Sequence, residues 1–203
     1  QIVIINNIQQ PNSQDPELRT INLYGDITEQ KASDVVAALL YLENSSHTIL
    51  PKNPDDPESE EVVVARSISM MVSTHGGIAS DMFSILDVME MVKERTCDIE
   101  TLGIGKVMSA GVPILAAGTP GKRKIGKNCR VMIHNVAAGN FGNLPNLANE
   151  LEAIQRLQED YISAMVENTK FTRKKLEKLL NEKVNIYLDA DEAVKYGLAD
   201  EIM

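Results

Sequence analysis

Short apolar segments alternate with longer amphipathic segments along most of this chain, and this alternation restricts the fold more than any other feature. The predicted strands are 21–24, 68–73, 99–104 and 131–133. The predicted helices are 30–43, 80–94, 109–117 and 145–169. The second of these helices has apolar residues at helical spacing on one face: Met82, Ile85, Leu86, Met89 and Val92. Repeated strand–helix–strand units predict an α/β fold in which helices pack on a mainly parallel sheet.

The size and charge of the chain limit both its domain number and its partners. A chain of 203 residues with 43% hydrophobic content can bury a sizeable core, and no segment has the composition of an interdomain linker. The formal net charge of −9 argues against nucleic acid as a partner, because phosphate binding depends on Lys and Arg. The basic run 122–124 is short, and we expect a solvated turn there.

The cysteine pattern and the hydropathy indicate a compartment. Cys97 and Cys129 form no disulfide framework and lack metal-ligand spacing, so we expect buried or free thiols in a reducing environment. No apolar run has the length of a membrane span, and the opening Gln-Ile-Val-Ile-Ile lacks the features of a signal peptide. A soluble protein of the cytoplasm, or of an organellar stroma or matrix, is therefore expected. The chain does not begin with methionine, which is compatible with removal of a transit segment or propeptide.

One serine lies where an apolar run enters a turn of small residues, and one histidine lies at the end of a predicted apolar strand. Ser109 lies in a turn of small residues, Gly-Lys-Val-Met-Ser-Ala-Gly at 105–111, and His134 follows 25 residues later at the end of an apolar run. A serine hydroxyl becomes a strong nucleophile when a neighbouring imidazole takes its proton, so the pair is suited to acyl transfer. Each residue also has an ordinary structural interpretation, as a helix N-cap and as a strand-end hydrogen bonder.

A pair of glycines, Gly76 and Gly77, follows a predicted strand and precedes a predicted helix. Backbone amides at such a turn point outward and can bind negative charge, although a plain tight turn has the same sequence. His75 precedes the pair. It is either a solvent-facing loop residue or a contact near a substrate cleft.

These segments belong to a longer pattern that resembles the ClpP family, the serine peptidases of the Clp ATP-dependent protease system. The resemblance runs from about residue 19 to 203 and consists of motifs in family order: 21–27 (Ile-Asn-Leu-Tyr-Gly-Asp-Ile), 38–43 (Ala-Leu-Leu-Tyr-Leu-Glu), 76–77, 105–111, 121–123 (Gly-Lys-Arg), 130–134 (Arg-Val-Met-Ile-His) and 191–202 (Asp-Glu-Ala-Val-Lys-Tyr-Gly-Leu-Ala-Asp-Glu-Ile). It implies a single domain with the ClpP/crotonase-like fold. It also implies an endopeptidase that cuts short or unfolded polypeptides inside two stacked heptameric rings, fed by a Clp-type ATPase and without a metal or organic cofactor of its own.

The resemblance assigns roles to individual residues. Ser109 is the expected nucleophile, His134 the general base, and the amides of Gly77 and Ala110 the oxyanion hole. The family's triad aspartate falls on Asn185, where this chain departs from the pattern. An asparagine carbonyl can accept the Nδ1–H bond of a histidine and hold its ring, but it brings no charge. The hypothesis is a Ser-His-Asn triad, with Asp189 and Asp191 as the next candidates.

The chain departs from the family pattern at two segments, at Val184 and at one strand, and it matches the family at the segment of the handle. Residues 1–18 do not match the usual N-terminal axial segment, and residues 44–65 form an insertion that we expect to be an exposed acidic loop. Residues 137–165 correspond to the strand–helix handle through which two rings meet. Val184 stands where the family often has an arginine that helps to lock the rings, and strand 69–72 lacks the tyrosines of the ATPase-docking pocket.

Other functions remain open at this level. The replacement by Asn185 and the altered docking strand are compatible with a weak or inactive subunit that regulates an active partner. A phage head-maturation peptidase of the same fold is another alternative, and it would work without an ATPase in the cytoplasm of an infected cell. A crotonase-type acyl-CoA enzyme is less favoured, because that family does not carry this serine and histidine in these contexts.

Overall fold

The computed structural model describes residues 18–53, 55–139 and 141–203. The strands are β1 (Thr20–Tyr24), β2 (His47–Asn53), β3 (Asp56–Ala65), β4 (Ile68–Thr74), β5 (Ile99–Met108), β6 (Arg123–Ile125), β7 (Arg130–Ile133), β8 (Ile186–Leu188) and β9 (Glu201–Ile202). The helices are α1 (Glu29–Asn44), α2 (Ala79–Arg95), α3 (Gly111–Ala116), α4 (Leu144–Asn168), α5 (Arg173–Glu182) and α6 (Ala190–Lys195). Nearly all of the divergent segment 1–18 lies outside the described residues.

The central sheet is mostly parallel, with the strand order β1-β4-β5-β6-β9. Strand β7 pairs in parallel with β5 and antiparallel with β8. Helices α1 and α2 connect successive sheet regions and bury one apolar face each, so that residues such as Val35 and Met82 are inaccessible to solvent. The predicted α/β architecture is therefore confirmed.

Strand β5 is longer than the sequence pattern predicts and pairs with a different strand at each end. Its first half pairs with β6, where Thr101 is opposite Arg123, and its second half pairs with β7, where Met108 is opposite Met132. Between the two halves lies Gly105, whose φ of 65° is in the region that favours glycine. The exchange of partners allows the end of β5 to lie beside the end of β7.

The insertion at 44–65 is structured, and the expectation of a loop there is wrong. Strands β2 and β3 form an antiparallel hairpin in which Ile49 is opposite Val63, and Lys52 pairs with Glu60 at 2.9 Å. The β-branched residues on both strands favour extended backbone more strongly than the acidic residues oppose it. Ile49 and Val63 remain exposed to solvent.

The expected handle is present only as its helix. Residues 137–139 and 141–143 are irregular rather than a strand, since no described strand lies beside them to supply hydrogen bonds. Helix α4 begins after the N-cap residue Asn143, and its apolar residues are exposed in the N-terminal half and buried in the C-terminal half. Tyr161 and Met165 are buried, whereas Leu147 and Leu151 are 38% and 56% exposed.

The basic run 122–124 is not a solvated turn. Arg123 begins β6, is only 7% exposed, and binds Asp200 through Nη2 to Oδ1 at 2.6 Å and through Nε to Oδ2 at 2.9 Å. Lys122 pairs with Asp98 at 2.9 Å. The Arg123–Asp200 pair fastens the C-terminal strand β9 to the sheet.

Both cysteines are free and buried, in agreement with the sequence expectation. Within the described ranges, no helix combines the length and the apolar character needed to cross a lipid bilayer.

Candidate active site

Ser109 and His134 are brought together by the pairing of β5 with β7. Each residue follows directly on its strand, and the Nε2 atom of His134 lies 2.8 Å from the Oγ atom of Ser109. The backbone N–H of Ser109 also donates to the carbonyl of Met132 at 2.8 Å, which ties the serine to the histidine's strand. The distance is within the range required for proton transfer from a hydroxyl to an imidazole.

The backbone of Ser109 is unusual. Its φ is 52°, and it is the one non-glycine residue with positive φ in the part of the chain that the structure describes. For this reason the predicted helix 109–117 cannot begin at Ser109, and α3 starts two residues later at Gly111. This left-handed backbone is strained for a serine, and the serine hydroxyl lies 2.8 Å from His134 Nε2. Strain of this kind is held by the surrounding packing and is common at functional sites.

The glycine turn lies against this serine. Thr74 shapes the turn by accepting a hydrogen bond from the N–H of Gly76 at 2.9 Å. A Cβ atom built on Gly76 would lie 2.6 Å from the Cβ of Ser109 and 3.0 Å from the N atom of Ala110. This close approach requires glycine at position 76.

Two backbone N–H groups beside the serine lack a hydrogen-bond partner in the part of the chain that the structure describes. Among the described residues, neither the N–H of Gly77 nor that of Ala110 donates a hydrogen bond, although the neighbouring Ile78 N–H binds Ile27 at 3.0 Å. Both residues line the same cleft as Ser109 and His134. Free amides facing a nucleophile are the donors that stabilise a developing oxyanion.

The cleft itself has a volume of about 640 Å³. His75 and Asp26 line this cleft, and both are exposed to solvent. His75 therefore has both of its expected features, since it borders the cleft that contains Ser109 and it also contacts solvent. Tyr161 lines the cleft from α4. Its hydroxyl is buried without a hydrogen-bond partner among the described residues, and this burial raises the pKa of the phenol, which therefore stays neutral.

The pairing of their strands brings Asn185 close to His134, but no hydrogen bond joins the two residues. The antiparallel pairing of β7 with β8 ends with Ile133 opposite Ile186. If the same register continued by one residue, Asn185 would lie opposite His134. The Asn185 side chain is exposed and makes no hydrogen bond to any described residue. The Nδ1 atom of His134 likewise has no partner in the described ranges.

The two alternative aspartates are used elsewhere or lie apart. Asp189 is the N-cap of α6 and accepts a hydrogen bond from the Glu192 N–H at 2.9 Å. Asp191 lies in the first turn of the same helix and lines neither of the two cavities that His134 borders.

The sequence did not reveal the second of these cavities. It has a volume of about 360 Å³ and lies between His134 and the last turn of α5, where Glu182 and Lys183 line it. Helix α5 was not predicted, although Leu176, Leu179 and Leu180 have helical spacing and could have indicated it.

The sequence of the chain matches a known protein family. The family model for Clp protease matches residues 59–203, a range that contains β5, β7 and every residue of the cleft from His75 onward. The chain belongs to the Clp protease family. It is a ClpP-like peptidase, and its mostly parallel sheet with flanking helices is consistent with the ClpP-like fold. The match to the Clp protease family begins within β3, so β1, α1 and the first strand of the hairpin precede it.

Proposed function

We propose that this Clp protease is a serine endopeptidase in which Ser109 is the nucleophile and His134 the general base. The observation that carries the proposal is the 2.8 Å approach of His134 Nε2 to Ser109 Oγ, in a cleft lined by two backbone amides, of Gly77 and Ala110, that donate to no other described residue. The substrates are short peptides or unfolded polypeptides.

The geometry supports a two-step hydrolysis. As the Oγ atom of Ser109 attacks the scissile carbonyl carbon, its proton moves to His134 Nε2, and the carbonyl oxygen becomes an oxyanion that the amides of Gly77 and Ala110 stabilise. His134 then gives the proton to the leaving amine, which leaves an ester on Ser109. A water molecule, deprotonated by His134, attacks the ester, and His134 then gives that proton to the Ser109 Oγ atom as the acid product departs.

Asn185 is proposed to orient the histidine. Its amide oxygen would accept the Nδ1–H bond, because the register of β7 and β8 brings position 185 level with position 134. An asparagine in this role holds the ring in the tautomer that leaves Nε2 free to accept the serine proton.

Assembly into two stacked heptameric rings is proposed from the resemblance to the ClpP family, and helix α4 supports it. Its N-terminal half exposes Leu147 and Leu151, and an exposed apolar stripe of this kind needs a partner surface. A ring chamber would admit only threaded or short chains, and a Clp-type ATPase would feed it and would be the only component that uses ATP.

The peptidase reaction needs no metal or organic cofactor. Because both cysteines are free thiols, we place the protein in the cytoplasm or in an organellar matrix.

The second candidate function is that of a weak or inactive regulatory subunit in mixed rings. It is favoured by one observation, the exposed Asn185 side chain without a hydrogen bond to His134 in the described residues. Such a subunit would retain its fold and its ring contacts but would not acylate.

A fluorophosphonate probe separates these functions. Purified protein, Ser109→Ala and the control Ser84→Ala are labelled and then run on a sizing column; Ser84 is an exposed serine on α2 whose hydroxyl binds the carbonyl of Asp81. We expect label on the wild type and on Ser84→Ala, none on Ser109→Ala, and elution as a large ring. An intact ring without label would overturn the peptidase proposal and support the regulatory subunit.

A further inference from the structure

One wall of the cleft lies outside the sheet. Residues 135–138 follow His134 directly and line the cleft that contains Ser109. In the described part of the chain they belong to no strand, and none of them makes a backbone-to-backbone hydrogen bond. Backbone groups without a sheet partner need side chains or water instead. The position of this wall therefore depends on contacts from other elements.

A side chain of helix α4 supplies such a contact. The backbone N–H of Val136 donates to the Oε1 atom of Gln158 at 2.7 Å, and this bond is partly buried. Leu157, the preceding residue of α4, is among the described residues that line the cleft, whereas Gln158 is not. Gln158 therefore holds the wall from outside the cleft and leaves the substrate side of the wall open.

The wall is also tied to α5, but in a different way. The Nδ2 group of Asn135 donates to the carbonyl of Leu180 at 3.0 Å. This bond uses a side chain of the wall, so the backbone of the wall can still adjust around it. The bond to Gln158 uses the backbone of Val136 itself. Among the described contacts, it is the one that fixes the peptide backbone of the wall directly.

Gln158 is on a part of α4 that is firmly packed. One turn further along the helix, Tyr161 and Ile162 are each only 4% exposed. The adjacent Glu159 contacts α5, where it accepts a hydrogen bond from Arg173 at 2.8 Å. A group on a packed helix holds its partner more precisely than a group on a loop does.

We propose that Gln158 is a positioning residue that sets the backbone of residues 135–138 so that the cleft binds a peptide beside Ser109. This inference rests on the proposed function and adds a residue that acts on substrate binding. No hydrogen bond joins Gln158 to Ser109 or His134 in the described residues, and the pairing of β5 with β7 holds those two together. Loss of Gln158 should therefore weaken peptide binding and leave the reacting pair in place.

The test separates binding from chemistry. Gln158→Met keeps the length of the side chain but removes the acceptor, so the N–H of Val136 loses its partner and the wall shifts. On a fluorogenic leucine peptide amide, KM should rise about tenfold, while kcat stays within about twofold of the wild-type value. Fluorophosphonate labelling of Ser109 should also stay within about twofold in rate, because this small probe does not need the wall.

Matched variants distinguish a specific contact from a general effect on the fold. Gln158→Glu keeps an acceptor oxygen and should have nearly the wild-type KM. Gln155 is an exposed glutamine three residues earlier on α4, so Gln155→Met and Gln155→Glu make the same chemical changes and should leave KM unchanged. A fall in kcat and labelling rate with an unchanged KM in Gln158→Met would indicate partial unfolding and would overturn the inference. An increase in KM of the same size in Gln158→Glu or in Gln155→Met would also overturn it.

A binding measurement keeps this test distinct from that of the peptidase activity. In the Ser109→Ala protein, the Kd of a fluorescein-labelled leucine peptide should rise about tenfold when Gln158→Met is added. If the wild type neither labels nor cleaves, the proposed function fails, whereas the two Kd values still decide whether Gln158 positions a peptide-binding wall. Equal Kd values, or no binding to either protein, would overturn the inference about Gln158 even where Ser109 labels in the wild type.

Discussion

Gly76 and Ser109 are packed so closely that a single methyl group on the glycine would contact the nucleophile. A Cβ at position 76 would lie 2.6 Å from the serine Cβ, and Gly76 has a φ of 103°. The turn that carries the proposed oxyanion donor and the turn that carries the nucleophile are therefore one packed unit.

The first prediction is that Gly76→Ala inactivates the site. The new methyl group displaces Ser109 or the amide of Ala110, and a misplaced nucleophile costs on the order of a hundredfold in rate. The measurement is the rate of fluorophosphonate labelling, with circular dichroism to check the fold. Gly121→Ala is the control, because Gly121 has a similar φ of 85° but open space around its Cβ position. Equal labelling rates for the two variants would contradict the prediction.

The second prediction concerns Asn185. Asn185→Ala removes the proposed acceptor for the histidine ring, so turnover should fall by about tenfold or more, equivalent to at least about 1.4 kcal/mol. Asn185→Asp keeps an acceptor and adds the charge, so it should retain or raise turnover. Both are measured as kcat on a fluorogenic peptide. If Asn185→Ala has the wild-type rate, Asn185 has no part in the reaction.

The sequence predicts those parts of the fold that depend on local patterns. Helix α2 has its apolar residues at helical spacing, and 80–94 was predicted against the observed Ala79–Arg95. The pairing of Ser109 with His134 is predicted from the chemistry of the two residues and from the resemblance to the ClpP family, whereas the adjacency of β5 and β7 that brings them together is seen only in the structure.

The elements that the sequence could not predict are those that depend on contacts with strands or helices distant in the sequence. Strand β9 has two residues and exists because it pairs with β6, and β5 continues to Met108 because β7 lies beside its second half. The hairpin of β2 and β3 lies in an acidic segment whose composition is typical of a loop, and its β-branched residues form strands because the two strands pair with each other. The cavity between His134 and α5 was hidden for a similar reason, since it depends on where the end of α5 packs.

The third prediction is an acid-dependent loss of stability at the C-terminal strand. Hydrogen bonding to Arg123 is the main cause that lowers the pKa of Asp200 below its usual value of 3.8. A carboxyl with a lowered folded-state pKa stabilises the fold above its unfolded pKa and loses that contribution as the pH falls through the folded value. Wild type should therefore lose stability below about pH 4, and Asp200→Asn should lack this part of the loss.

At neutral pH the same variant should be less stable by about 3 kcal/mol, because it leaves Arg123 buried without its counter-charge. Urea unfolding at both pH values measures the effect. Glu201→Gln is the control, since its pair with Lys124 at 3.4 Å is exposed and should contribute little. A neutral-pH loss in Asp200→Asn no larger than that in Glu201→Gln would contradict the assignment.

The fourth prediction is that Tyr161→Phe does not destabilise the protein. The buried Tyr161 hydroxyl has no hydrogen-bond partner among the described residues, so its removal relieves a desolvation cost of about 1 kcal/mol and leaves the ring packing in place. We expect an equal or higher Tm in a thermal unfolding experiment. Tyr187→Phe, at an exposed position on β8, should leave Tm unchanged. A clear drop in Tm for Tyr161→Phe would mean that the hydroxyl has a stabilising partner, such as a bound water.

The fifth prediction tests the assembly surface on α4. Leu151 is 56% exposed within one chain, so Leu151→Glu should leave the fold of the subunit unchanged. If α4 carries the ring-to-ring contact, the introduced carboxylate is buried in that contact without a partner. The equilibrium between double and single rings then shifts to single rings. Analytical ultracentrifugation measures this shift. Val63→Glu makes the same kind of change at an exposed apolar position of the β2–β3 hairpin and should leave the double ring intact. A double ring that survives Leu151→Glu would show that its contacts lie elsewhere, whereas loss of the double ring in Val63→Glu alone would assign them to the hairpin.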